Sequence, residues 1–287
     1  MQAWQIKMDL KLGGKLGFWA LKTVAKSPVK ETPRPQSLKE DVIGGAAKLE
    51  QYFGQDVWTR LADRVVLDFG CGEGKEAIAA ALHGAKRVYG IDIRDVSLEI
   101  ARKSSMEHGV FDKCVFLNGI SQDSRIREIS EKLDFAYSLD SFEHFSEPKQ
   151  ILDQLYSLLA PGGELYVSFG PPWKHPFGCH MFFLNTLPWT HFIFKEETIM
   201  AVRAGYRQDG AKRFGEVEGG LNQMTVGRFI RLAKDSKFQI EKLQLIPIKG
   251  LTWLIQNRSI REYFTSVVQC VLKKPLVEHS AKLSTQD

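Results

Sequence analysis

Cysteine is scarce in this chain and never closely paired. The four in 287 residues (Cys71, Cys114, Cys179 and Cys270) form no C-x-x-C. That excludes a disulfide framework and a cysteine-rich zinc knuckle, and makes a reducing, cytoplasmic setting the expectation. No apolar run approaches the ~20 residues of a membrane-crossing helix, and repeats and low-complexity tracts are lacking. A basic core is missing too. Residues 1–40 hold eight basic and three acidic groups, net +5, and the whole chain is also +5, so residues 41–287 balance. Nucleic-acid-binding cores more often carry their own positive surface, and no nucleic-acid partner is expected.

The positive charge therefore belongs to an N-terminal arm and linker, residues 1–37, ending in Pro28, Pro33 and Pro35. Lys7, Lys11, Lys15, Lys22, Lys26 and Lys30 recur at helical spacing, but Gly13, Gly14 and Gly17 weaken a continuous helix. The arm reads either as a mobile basic segment or as a helix that docks on a membrane surface or a partner.

A helical segment from about residue 38 leads into strict alternation. Strands are expected at Val65–Phe69, Arg87–Ile91, Cys114–Leu117, Phe135–Leu139 and Glu164–Phe169. Helices are expected between them, at about Lys75–His83, Val96–His108, Asp123–Lys132 and Pro148–Leu159. Such alternation requires a parallel sheet with right-handed crossovers. A helix over Met224–Ser236 and strands at Phe238–Ile246 and Thr265–Leu272 finish the domain at about residue 274. With no crossover helix between those two strands, the finish should be antiparallel and at the sheet edge. A polar tail, 275–287, follows.

Residues 170–223 fit none of this. They are rich in aromatics, glycine and histidine, too long for a structureless loop, and read as an inserted lid over the C-terminal edge of the sheet. Phe182, Phe183, Trp189 and Phe192 suit either the small core of that insertion or a surface facing a lipid. His175, Cys179 and His180 lack a standard metal-ligand spacing, and no metal is expected. A histidine here, His180 in particular, would contact an acceptor.

The chemistry concentrates in Val65-Val66-Leu67-Asp68-Phe69-Gly70-Cys71-Gly72-Glu73-Gly74, an apolar strand running into a glycine turn that opens a helix. The dinucleotide fingerprint G-x-G-x-x-G would need a third glycine at position 75, where Lys75 stands. NAD and FAD are thereby disfavoured. Eighteen residues beyond Gly74, Asp92 ends the second strand, placed to bind ribose hydroxyls, and Ile93 beside it could cover a purine.

With Ser138-Leu139-Asp140-Ser141-Phe142-Glu143-His144 and Leu159-Ala160-Pro161-Gly162-Gly163, these motifs resemble the class I S-adenosylmethionine-dependent methyltransferases, in particular their small-molecule, ubiquinone/menaquinone-type branch. The resemblance covers roughly residues 60–170 and 224–273. It implies an α/β, Rossmann-like seven-stranded sheet, mostly parallel with an antiparallel last strand and helices on both faces. It implies S-adenosyl-L-methionine as cofactor, with Gly70, Gly72 and Gly74 forming the turn and Asp68 supporting it. Asp92 would hold the ribose beside Ile93, Gly119 and Ile120 would edge the adenine, and Ser138 and Leu139 would lie next to the sulfonium. The frequent acid after that glycine is Ile120 here, so only a backbone contact to the adenine is expected.

The chain also lacks an Asn/Asp-Pro-Pro-aromatic tetrad after the fourth strand, which turns the reading away from DNA and nitrogen acceptors. The acceptor is expected to be small or lipid-linked and methylated at oxygen. Glu143 and His144 are the candidate acid–base pair, with His144 the base, and a capping role for His144 as the plainer reading. Peripheral membrane contact would run through residues 1–30 and the aromatic lid. The alternative function is a cofactor-binding scaffold without turnover.

Overall fold

The computed structural model describes residues 11–27, 38–119, 129, 132–184, 186–217 and 219–276. Seven strands form one sheet: β1 Val65–Phe69, β2 Arg87–Asp92, β3 Cys114–Asn118, β4 Leu133–Leu139, β5 Leu159–Phe169, β6 Gln239–Pro247 and β7 Thr265–Lys273. Their order across the sheet is β3-β2-β1-β4-β5-β7-β6. β7 runs antiparallel to both its neighbours, and the other observed pairings are parallel. The antiparallel finish expected at the edge is there: β7 inserts between β5 and β6, and β6 is the outermost strand. Its residues are mostly exposed, with Lys242 among them, as suits a strand that must not recruit another.

β1 is central because both its faces are apolar. Val66 packs into one core and Leu67 into the other. On the Val66 side lie α2 Leu38–Phe53, α4 Lys75–Leu82 and α5 Asp95–Glu107, with the short α3 Val57–Leu61. On the Leu67 side lie α6 Pro148–Leu158 and the helix Val226–Asp235, which buries Val226, Phe229 and Ala233. That helix starts where the Thr225 hydroxyl accepts from the Arg228 N–H at 3.1 Å. The C-terminal end of α6 is closed by the buried ammonium of Lys274, which donates to the carbonyls of Tyr156 and Leu159. The helix expected over Asp123–Lys132 lies outside the described residues, apart from Ile129 and Lys132.

The segment after β5 has its own core. Two short helices, α7 Thr190–Ile193 and α8 Glu196–Arg203, fold with Cys179, Met181, Leu184, Phe214 and Leu221. The helix Val226–Asp235 is accordingly α9. Of the aromatics expected to fill this core, Phe182 and Phe192 are exposed, and Phe194 and Phe214 are buried in it instead. The N-terminal segment joins the same core. Residues Gly14–Thr23 form α1, which buries Leu21 there and packs along α8. The glycines that weaken this helix in isolation permit its docking. A Cβ on Gly13, just before the helix, would lie 2.7 Å from Lys195 Cδ, and one on Gly17 would lie 3.4 Å from Thr198 Cγ2 of α8. Residues 11–27 are therefore a docked element, whereas residues 1–10 of the arm lie outside the described residues.

Candidate active site

The C-terminal ends of β1, β2 and β4 open into a cleft of about 1140 Å³. The glycine turn forms its floor. Gly70, Gly72 and Gly74 all have positive φ (86°, 51° and 77°), the left-handed region that other residues enter only at a cost. Gly74 caps α4, and a Cβ there would meet Ala101 and Phe116 at 2.8–2.9 Å, so it serves packing rather than the cleft. Gly72 is the open one. A Cβ on it would find only the Arg94 guanidinium, at 3.4 Å.

Asp92 is tied to that turn. Its Oδ2 accepts from the Gly72 N–H at 2.8 Å, and its Oδ1 accepts from the Arg94 backbone and Nε at 2.9 and 3.2 Å. Carboxylate oxygens have about four acceptor sites between them, so these bonds orient the group without saturating it. Ile93 next to it is 55% exposed on the cleft wall, an unusual cost for an isoleucine that nothing covers. Gly119 follows β3 at the same wall, its N–H donating to the Asp92 carbonyl at 3.0 Å. Ile120 lies outside the described residues.

α2 closes one side of the cleft with groups that no local motif announces. Lys48 bridges Glu76 and Asp140 at 3.2 and 3.0 Å, and the Tyr52 hydroxyl donates to Asp140 at 3.0 Å. Burial works against the Lys48 charge, but the two carboxylates outweigh it and hold the ammonium above the usual lysine range. Asp140 itself sits at φ 49°, directly after β4. Asp68 lies beneath, 3% exposed, with Oδ2 lacking a hydrogen-bond partner. Burial, reinforced by the Glu76 charge, pushes its carboxyl well above the ordinary range.

The opposite wall carries Ser141, His144 and Phe145 together with Val217, Gly219 and Gly220 of the insertion. His144 Nδ1 lies 2.6 Å from the Gly220 carbonyl. A carbonyl only accepts, so Nδ1 carries the proton and Nε2 keeps a lone pair. Glu143 is 2% exposed. Its Oε1 accepts from the Gly170 N–H at 3.2 Å, while Oε2 has no partner, and burial raises its carboxyl to about 8. At neutral pH it is largely protonated. His180 donates from Nε2 to the Pro171 carbonyl at 3.0 Å, and burial lowers it to about 4. Its ring centroid is 5.8 Å from that of His144. Glu143, His144 and His180 each bring one donor atom within 4.8 Å of the others. Such a trio suits a proton relay, and its donor types would equally suit a divalent cation. Spacing along the chain did not bring this trio together; the fold gathers it from residues 36 and 37 positions apart.

Residues 66–163 match the family described as the methyltransferase domain. Over that segment, about a third of the chain, the sequence is similar to a methyltransferase domain. The ubiquinone biosynthesis O-methyltransferase of Pseudomonas savastanoi pv. phaseolicola is 34% identical over 108 residues, 38% of this chain and 45% of that protein. The chain thus aligns with less than half the length of this relative. The geranyl diphosphate C-methyltransferase of Streptomyces coelicolor A3(2) superposes with a TM-score of 0.52 at 13% identity, covering 85% of each chain. The [4+2]-cyclase SpnF superposes at 0.51 with 16% identity, over 91% of this chain and 94% of its own. At these identities the superpositions show the fold, and a cyclase among them shows that the fold alone does not name a reaction.

Within the matched segment, Gly70, Gly72, Asp92, Ile93, Gly119, Leu139 and His144 share one cleft. Ser138 does not. It is wholly buried in β4 with its Oγ unpartnered, because alternation along the strand turns Leu139 to the cleft instead. Lys48, Tyr52, Arg94 and Asn222 were not read from the sequence. Asn222 clamps the loop after β4: its Nδ2 donates to the carbonyls of Phe142 and Phe145 at 2.8 and 2.7 Å, and its N–H donates to the Glu143 carbonyl. Asn222→Ala should cost about 1–3 kcal/mol of stability, the range for leaving buried acceptors unmade. Urea unfolding checks this; a loss under about 0.5 kcal/mol, the bottom of the range for one ordinary hydrogen bond, would show the clamp to be idle.

Proposed function

We propose that the protein transfers the methyl group of S-adenosyl-L-methionine to oxygen of a small or lipid-linked acceptor. One observation carries this reading: the glycine turn, the Asp92 carboxylate bonded to it, and a histidine with a free Nε2 line a single cleft. The residues fit the cofactor. Gly72 leaves room for close approach, Ile93 offers an uncovered apolar face for a purine, and Asp92 retains acceptor capacity for ribose hydroxyls. Gly70, Gly72, Asp92, Ile93 and Gly119 would hold it, with Asp68 supporting the turn from beneath.

When bound, the cofactor supplies a methyl carbon on a sulfonium, an electrophile with a good leaving group. The protein's part is then alignment, exclusion of water and removal of one proton. Leu139 and Phe145 make the wall apolar. The proton of the acceptor hydroxyl would pass to His144 Nε2, the ring nitrogen that the Gly220 contact leaves open. Glu143, neutral at its raised value, leaves no competing negative charge beside that histidine.

Calorimetric titration with S-adenosyl-L-methionine and S-adenosylhomocysteine tests the cofactor. Asp92→Ala should weaken binding by about 1.5–3 kcal/mol, roughly 10- to 150-fold. Unchanged affinity in a folded variant removes the ribose role. Absence of binding by the wild type would leave the scaffold alternative without its cofactor as well.

We also infer peripheral contact with a membrane, through the N-terminal residues and the insertion. Among the described residues no helix is long and apolar enough to cross one.

A further inference from the structure

α1 is apolar on both sides. Its inner face buries Gly17 and Leu21 in the core of the insertion. That accounts for folding, and it leaves the outer face unexplained. There Leu16 is 75% exposed and Trp19 60% exposed, three residues apart on one helical stripe. A short helix already anchored by one apolar face gains nothing in stability from a leucine and a tryptophan on the other.

The patch continues beyond the helix. The Leu12 N–H donates to the Ile193 carbonyl and the Lys195 N–H donates to the Leu12 carbonyl, both at 2.9 Å, so exposed Leu12 runs beside exposed Ile193 and Phe192. Lysines rim it. Lys11 donates to the His191 carbonyl and lies 5.9 Å from the Phe192 ring centre, and Lys22 lies 5.3 Å from that of Trp19. Residues 11–27 contain four lysines and no acid.

We propose that this strip of α1 and α7 docks on an anionic lipid surface, with Leu16 and Trp19 entering the headgroup boundary and Lys11, Lys15, Lys22 and Lys26 meeting lipid phosphates. The proposal gives the membrane contact inferred above its location and its lipid chemistry, and it does not depend on methyl transfer. Charge decides the occupant. A second copy paired through the same face would set like lysines against each other. An anionic bilayer neutralises them, and an apolar strip with a basic rim supplies the two signals that stable peripheral attachment needs. At ten residues α1 spans about 15 Å, so it lies along the surface rather than through it.

The test is co-sedimentation of the full chain with vesicles of phosphatidylcholine alone, and of phosphatidylcholine and phosphatidylglycerol at about 3:1. Binding is expected to the mixed vesicles only, and to weaken with salt. Leu16→Ser with Trp19→Ser, and separately Lys15→Glu with Lys22→Glu, should each weaken it roughly tenfold or more. These side chains are exposed, so circular dichroism should match the wild type. Equal binding by the variants, or no vesicle binding by the wild type, overturns the proposal. A wild-type dimer in sedimentation equilibrium that the Leu16/Trp19 variant abolishes would assign the face to a second copy and overturn it too. Cofactor titration on the same preparations separates the two readings. Vesicle binding without cofactor binding sinks methyl transfer and leaves this surface standing.

Discussion

His144→Ala should slow methyl transfer by about 10²–10⁴-fold while changing cofactor affinity little, the range for removing a positioned general base. The argument begins with the Gly220 carbonyl. By accepting the Nδ1–H hydrogen bond it fixes the tautomer, so the nitrogen with a lone pair is the one left for the acceptor. Asn222 and the Gly170 N–H hold Glu143, and with it the loop that aims His144. His144→Gln is the sharper variant, since an amide can still donate to Gly220 but cannot take a proton. Its rate should fall about as far as that of His144→Ala. A chelator should leave the wild-type rate unchanged. A rate abolished by chelation and restored by a divalent cation would mean that Glu143, His144 and His180 hold an ion, and the base assignment would fall. Wild-type rates in His144→Gln at every pH would make the residue a structural clamp on Gly220.

Much of this site was legible because its parts are local. An apolar strand, a glycine turn and an acid at the end of the next strand are each written in a few consecutive residues, and parallel pairing of β1 with β2 brings them together without further information. The seven strands were legible for the same reason, to within a few residues at their ends. What escaped is what the chain brings in from a distance. Lys48 and Tyr52 reach Asp140 across about ninety residues, by the packing of α2 on α4. Nothing around Lys48 marks it as anything but a surface lysine. The side-chain direction of Ser138 escaped because an apolar run buried on both faces hides which residue faces the cleft. The docking of α1 was hidden by Gly13, Gly14 and Gly17, whose low helix propensity is real; the approach of Gly13 to Lys195 and of Gly17 to Thr198 is revealed only by the fold.

Acid should release the insertion, and it should do so through its histidines. His175, His180 and His191 are each pulled down to about 4, first of all by burial. Their hydrogen bonds show why. His191 donates from Nε2 to the Trp173 carbonyl at 2.6 Å, leaving Nδ1 buried with no partner, so a second proton would find no acceptor. His175 Nδ1 accepts from the Phe177 N–H at 3.0 Å, and a proton there would destroy that bond. The sign follows from the two states. Above the ordinary histidine value of about 6.5 both folded and unfolded chains are neutral, and this stability is fully present. As pH falls toward 4 the unfolded chain takes up protons that the folded one refuses, and stability is lost at about 1.4 kcal/mol per pH unit for each group. Glu143 acts in the opposite direction. Raised to about 8, it binds its proton in the folded state while the unfolded carboxyl, near 4.5, has already lost it. Between those values it adds stability as pH falls. From these four groups together, the wild type should lose roughly two protons' worth, about 3 kcal/mol per pH unit between about pH 5 and 6. His191→Gln, which keeps a donor for Trp173 and cannot be charged, should flatten that slope by about one proton. Glu143→Gln should steepen it by about one. Urea unfolding at several pH values measures all three. Parallel lines for wild type and His191→Gln would mean that the folded protein protonates His191 freely, and that the insertion is not held shut by its neutral histidines.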